Sequence, residues 1–335
     1  MNFNQFIGQE KIKEILKNSL IRDRLSHAYS FEGTVGMGKL TLAKIFASAI
    51  LCDNKEGVNC EVCVSCRKLL SGNHLDFTII SSEKSSIGIE DIRNIQDEII
   101  VKPIESNQKI YIIDQADKMT TQAQNCLLKT LEEPPAYVII VLCVSNISAI
   151  LKTIQSRCTR VKFDNYSNEE IKSIICSQSD NSLQAINFVV SFAQGVVGKA
   201  FSIMSDDFIK LREEVFEVLK KIREQPIEET FKIVGFFESN KDNVDNIFDI
   251  MVTWFRDVAI YHHLKDENML INYDKKGIIF NSISDYNNVD LIRSVNIIEK
   301  ARKNVKLNIN FQMAIENMLL SLWEVHNGKS CRSAV

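Results

Sequence analysis

The sequence predicts an α/β domain built on a parallel sheet, followed by an all-α remainder. Three features carry this. Short apolar runs alternate with helical patterns over the first half, the mark of parallel strands covered by helices. After about Asp164 no further strand signal occurs. Long amphipathic stripes then occupy the C-terminal part. A chain of 335 residues is too long for one small core and fits two or three domains.

Taken in order, Ala28–Phe31 reads as a strand running into a glycine-rich turn, and Phe77–Ile80 and Ile110–Ile113 as the next two. Val138–Val144 is the fourth; it is apolar at every position, as a strand covered on both faces must be. Ile89–Ile100 and Thr120–Glu132 read as helices between them. In the second, Ala123, Leu127 and Leu131 share a face, and Pro134-Pro135 stops the helix. Ser167 opens a further helix with Glu169 and Glu170 in its first turn, where they favour the helix dipole. A short helical block runs to about Ser205. Beyond it, Ile247, Ile250, Met251, Trp254, Phe255, Val258 and Tyr261 form one helical stripe; Phe311, Ala314, Ile315, Met318, Leu319, Leu322 and Trp323 form another. Both are expected to pack the core of a helical bundle. The blocks are thus 1–164, 165–206 and 207–330.

The composition, 45% hydrophobic and 25% charged with 12 Gly and 4 Pro, is that of a folded, helix-rich globular protein. The longest apolar run, Tyr137–Val144, is far short of the ~18 residues of a membrane span. Neither a membrane segment nor a signal-peptide pattern is seen, so a cytoplasmic location is expected. A net charge of −3 argues against a lone nucleic-acid binder, which ordinarily carries a basic excess.

Gly33-Thr-Val-Gly-Met-Gly38-Lys39 follows the first strand and opens a helix. Glycines at Gly33, Gly36 and Gly38 let backbone N–H groups turn inward around phosphates, and Lys39 is placed to reach the outer oxygens. The next position should carry a hydroxyl for Mg²⁺ and is Leu40; Thr41 is rotated away by about 100° along the helix. Ile110-Tyr-Ile-Ile-Asp114 is a strand ending in an acid suited to a metal. Gln115 follows where a carboxylate would take a proton from water, which an amide cannot do. ATP hydrolysis by this chain alone is therefore not expected. Retained ATP binding and a loop kept only for its shape both stay open.

Of nine cysteines, Cys52, Cys60, Cys63 and Cys66 lie within fifteen residues. Four thiolates close a tetrahedral Zn²⁺ site and leave no open position, so its role would be structural. Nearby His74 reads as a surface residue rather than a ligand. Cys126, Cys143, Cys158, Cys176 and Cys331 read as small core residues. Ser156-Arg157-Cys158 follows the fourth strand, where an arginine could reach a neighbouring subunit's nucleotide.

These residues together resemble bacterial clamp-loader subunits of the AAA+ class. The likeness rests on His27-Ala-Tyr-Ser-Phe-Glu-Gly33 leading into the loop, the four-cysteine insert, and Asp114-Gln-Ala-Asp-Lys118. Asn125-Cys-Leu-Leu-Lys-Thr-Leu-Glu-Glu-Pro-Pro135, Ser156-Arg-Cys158 and, in the C-terminal block, Trp254-Phe-Arg-Asp257 complete it. The resemblance implies an AAA+ P-loop domain with a zinc module at 52–66, a small helical lid and a C-terminal helical collar. It implies a five-subunit ring with gamma/tau and delta partners that opens a sliding clamp and loads it on primed DNA. In that ring gamma/tau subunits hydrolyse ATP, while a rigid stator lends the arginine of its Ser-Arg-Cys motif, here Arg157, to a neighbour. Asn146 falls where the family places a polar sensor. Gly198 falls where a motor carries a sensing arginine, and Lys199 beside it points elsewhere. Leu40, Gln115 and Gly198 favour the stator; the alternative is a gamma/tau-like motor.

Overall fold

The computed structural model describes residues 2–54, 60–81, 86–177, 183–283, 286–307 and 309–327. Cys331 and the end of the third block at 328–330 lie outside the described residues. The chain forms two compact units, Met1–Ser179 with Gln194–Lys199, and Asp180–Ala193 with Ala200–Val335.

The first unit carries strands β1 (Ala28–Glu32), β2 (Phe77–Ile80), β3 (Lys109–Ile113), β4 (Val138–Val144) and β5 (Thr159–Lys162). All pair in parallel, in the order β2-β3-β4-β1-β5. Its helices are α1 (Glu10–Ile21), α2 (Lys39–Leu51), α3 (Val64–Leu70), α4 (Ile89–Ile99), α5 (Thr121–Glu132), α6 (Lys152–Gln155) and α7 (Asn168–Cys176). Every residue of β1, β3 and β4 is buried, because each of these strands is paired on both edges and covered on both faces. Tyr111, Ile113, Ile140 and Leu142 project into a core with Ile92 and Ile95 of α4 and Ala123 and Leu127 of α5. Helix α2 packs against β1, β3 and β4, with Phe46 edge-on to Tyr29 at 5.1 Å between ring centres.

Thr120 caps α5 by accepting from Ala123 N–H, and Ser167 with Glu170 forms a capping box on α7. The four strands read from sequence are present. The fifth was missed because Thr-Arg-Val-Lys, on the sheet edge, buries Val161 alone and shows no apolar run. Cys143 and Cys158 are buried as expected; Cys176 is exposed at the last residue of α7, which corrects its assignment to the core.

The second unit is helical: α8 (Leu183–Ala193), the end of α9 (Val197–Ile203), α10 (Asp206–Glu224), α11 (Ile227–Lys232), α12 (Val234–Ser239), α13 (Val244–Leu264), α14 (Lys276–Ser282), α15 (Asn288–Lys306) and α16 (Phe311–Asn327). Helices α10, α13, α15 and α16 pack on one another. Both predicted stripes face this core; Ile247, Ile250, Met251, Val258, Ile315 and Leu319 are fully buried. Tyr261, half-buried at the end of its stripe, stacks on Phe280 at 4.1 Å. Among the described residues no helix is long and apolar enough to cross a membrane.

Candidate functional site

The glycine loop leaves the carboxyl end of β1 and enters α2. Gly36 and Gly38 take φ of 86° and 80°, left-handed values that a side chain disfavours. Lys39 is almost fully buried, and its ammonium points back into its own loop. It donates to the Gly33 carbonyl at 2.6 Å, the Thr34 carbonyl at 2.7 Å and the Ser145 hydroxyl at 3.1 Å. Those three acceptors match the three protons an ammonium has to give. Burial lowers the Lys39 pKa, against the opposing pull of Cys143, Asp117 and Asp114.

The loop is also closed over. Gly198 N–H donates to the Gly36 carbonyl at 2.8 Å, and a Cβ on Gly198 would stand 2.6 Å from Gly36 Cα. Position 198 thus has no room for a side chain while this contact is made. The Tyr166 hydroxyl donates to the Met37 carbonyl at 3.1 Å, and the Phe6 ring lies against Gly38. Half-buried Asp114 directly follows β3, with its N–H on the Ile80 carbonyl. Exposed Gln115 follows at φ 50°. Asn146, just past β4, spends its side-chain oxygen on Ser148 N–H at 3.1 Å. Asp117 holds the same strand end by accepting from Ser145 N–H at 2.8 Å.

Arg157 sits elsewhere. It precedes β5, whose Thr159 pairs with Tyr29 near the start of β1, whereas the loop follows the end of β1. A five-residue strand separates those two ends by about 15 Å. Ser156 Oγ donates to the Thr153 carbonyl at 3.0 Å. Arg157 Nη1 donates to that same carbonyl at 2.9 Å, and its Nη2 meets Glu132 Oε1 at 2.9 Å. Cys158 turns into the core, where burial and the Glu32 charge push its thiol up to about 12. The three residues of the motif therefore cap a helix, present a guanidinium and anchor the next strand. Glu132 and Thr153 were not singled out from sequence; Glu132 lies inside a quoted motif, but only the fold brings it to Arg157.

The four cysteines converge at the junction of α2 and α3, with all sulfurs within 4.8 Å of one another. A tetrahedral Zn²⁺ site with ~2.3 Å bonds needs sulfurs about 3.8 Å apart, so the cluster can hold a metal ion with small adjustment. Backbone N–H groups of Cys60, Cys63 and Cys66 point at the sulfurs of Cys52, Cys60 and Cys63 at 3.3–3.4 Å, which favours thiolates. Such bonds from Val62 and Cys63 pull the half-buried Cys60 thiol down to about 6, while burial pushes Cys52 up to about 12. His74 is no ligand, but neither is it a surface residue. It is 4% exposed, accepts from Asp76 N–H at Nδ1, and holds the Ser65 and Ser106 hydroxyls at Nε2, each at 3.3 Å. The polar loop around it misled the sequence reading; the ring ties α3 to the 104–106 turn. That turn also gives three backbone N–H bonds to buried Asp76.

In the second unit Trp254-Phe-Arg-Asp257 organises a polar core. Asp257, fully buried, accepts from the backbone of Ile271 and Asn272 and from the Asn272 amide. Asn272 in turn accepts from Arg212, which grips Asp274 with two 2.8 Å bonds and lies 3.9 Å over the Phe188 ring. The motif thus positions a turn.

A glycine loop between strand and helix, with β4 standing between it and acid-tipped β3, defines a P-loop nucleotide-binding fold of the AAA+ class. The family model "DNA polymerase III, delta subunit" matches residues 8–167, and "DNA polymerase III, delta subunit, C terminal" matches residues 206–324. DNA polymerase III subunit delta' of Bacillus subtilis is 31% identical over 94% of this chain and 96% of its own length. The tau subunit from the same organism is 29% identical over 77% of this chain and 50% of its own length, so the chain spans half of that relative. A solved gamma subunit-related protein of Thermotoga maritima aligns at a TM-score of 0.47 and 21% identity, over 94% of this chain and 99% of that one. The chain belongs to the DNA polymerase III delta' family of clamp-loader subunits.

Proposed function

We propose that this chain is the non-hydrolysing stator of a clamp-loader ring and that Arg157 acts on a neighbouring subunit's ATP. The observation that carries the reading is the split between the two ends of the parallel strands. At the carboxyl end lies a phosphate loop whose lysine is taken up by two loop carbonyls and the Ser145 hydroxyl and whose hydrolytic positions are Leu40 and Gln115. At the amino end lies the partly exposed Arg157, about 15 Å from that loop along β1. A guanidinium meeting a partner's γ-phosphoryl stabilises charge as it develops. The partners are gamma/tau and delta subunits, and the substrates of the whole ring are a sliding clamp and primed DNA. Gly33, Gly36, Gly38, Lys39, Asp114 and Asn146 form a vestigial nucleotide site.

The cysteine cluster holds Zn²⁺ through Cys52, Cys60, Cys63 and Cys66. With all four positions taken by protein, the metal clamps the α2–α3 connection and takes no part in the reaction.

Two measurements test the reading. The purified chain turns over no Mg-ATP; steady hydrolysis abolished by Lys39→Ala would instead make it a motor. In a reconstituted ring Arg157→Ala lowers ATP turnover at the site it faces by on the order of 10³-fold, with assembly intact. Unchanged ATPase sinks the trans role.

A further inference from the structure

We propose that Glu132 is the positioning residue for Arg157: its carboxylate, with the Thr153 carbonyl, holds the guanidinium in the orientation it presents to a neighbour. This rests on the trans role of Arg157 and adds the group that aims it.

The tether joins two fixed elements. Glu132 is the last residue of α5, which Glu133 closes through its N–H to the Lys129 carbonyl and which Pro134-Pro135 cannot extend. Thr153 lies in α6, and its carbonyl already takes the Ser156 hydroxyl. Between them the guanidinium is held at both terminal nitrogens, at 2.9 Å to each partner. An untethered arginine at a surface samples many rotamers, few of which point one way. Two of its five N–H donors are engaged here; the other three have no partner among the described residues and are available to a phosphoryl group. The fork therefore aims the arginine without exhausting it.

The pair does not read as a stability device. Arg157 and Glu132 are 35% and 51% exposed, and ion pairs so solvated add little to folding. A residue that served only the fold would show nothing in turnover when removed. A residue that aims the arginine changes kcat and leaves KM alone, because ATP is bound by the neighbour.

The test uses the reconstituted clamp-loader complex with Mg-ATP and primed DNA. Glu132→Ala should lower kcat about tenfold with KM for ATP unchanged, while Glu132→Gln, which keeps the accepting oxygen, should stay within about twofold of wild type. Adding Glu132→Ala to Arg157→Ala should cost nothing further, since the two act as one unit. Thermal melting of each variant chain should match wild type. Wild-type or faster turnover in Glu132→Ala, alongside slow Arg157→Ala, would overturn the positioning role and leave the trans arginine standing. So would additive losses in the double variant, or failure of Glu132→Gln to restore the rate. Wild-type turnover in Arg157→Ala would remove both.

Discussion

Arg212 shows how much a single side chain can carry in this chain. It is 6% exposed, stacked over Phe188, and shared between Asn272 and Asp274. Its removal leaves a buried amide oxygen and a carboxylate without their donor. Arg212→Ala should cost about 3 kcal/mol in chemical unfolding, the lower end for a broken buried pair because Asp274 is half exposed. The same pair sets a pH dependence. Burial would raise the Asp274 pKa, but the Arg212 hydrogen bonds and charge outweigh it and hold the carboxyl below its usual range. A carboxylate depressed in the fold contributes fully above its unfolded pKa of about 3.9 and loses that contribution as pH falls through the folded value. Asp274→Asn should thus be the less stable protein at pH 7 and lose less stability than wild type between pH 5 and pH 3. Melting curves across that range check it; parallel curves would remove the pair from the acid response. Exposure to solvent keeps the effect small.

At the scale of elements, the α2–α3 connection depends on its sulfurs. Helix α2 ends into Cys52, and Cys63 caps α3 by accepting from Cys66 N–H. Cys63→Ser removes one sulfur ligand while its hydroxyl can still accept from Cys66 N–H at that cap, so it tests the metal cluster rather than the helix start. It should release bound Zn²⁺ and speed hydrogen exchange over 60–70, with the sheet little changed. Native mass spectrometry of the wild-type protein should show one metal ion; a metal-free native protein would refute the zinc assignment. The elements themselves were largely legible from pattern. β4 is readable because a strand buried on both faces must be apolar throughout. α5 is readable because a threonine cap and a proline stop bracket its stripe. β5 was not, since an edge strand with one buried residue carries almost no hydrophobic signal. His74 was misplaced for the opposite reason: polar neighbours in sequence conceal a burial that only the 104–106 turn creates.

For the whole molecule, 40 basic against 43 acidic residues leave little net attraction for a phosphate backbone. The lone chain should show no measurable retention of primed DNA near 0.15 M salt in fluorescence anisotropy, with binding appearing only on assembly with its partners. Tight, salt-sensitive binding by the isolated chain would point to a local basic face of its own. By itself the sequence determined the α/β-then-helical order, the glycine loop with Leu40 beside it, Gln115 after the acid, and four cysteines in one short stretch. These are local: periodicity, turn residues and ligand spacing act over a few positions, and a missing hydroxyl or carboxylate is missing in any fold. Only the tertiary structure decided that Lys39 is satisfied by its own loop together with Ser145, that Gly198 closes on Gly36, and that Glu132 meets Arg157. Those contacts join residues that strand order and helix packing bring together, and no local pattern encodes which distant groups will share a hydrogen bond.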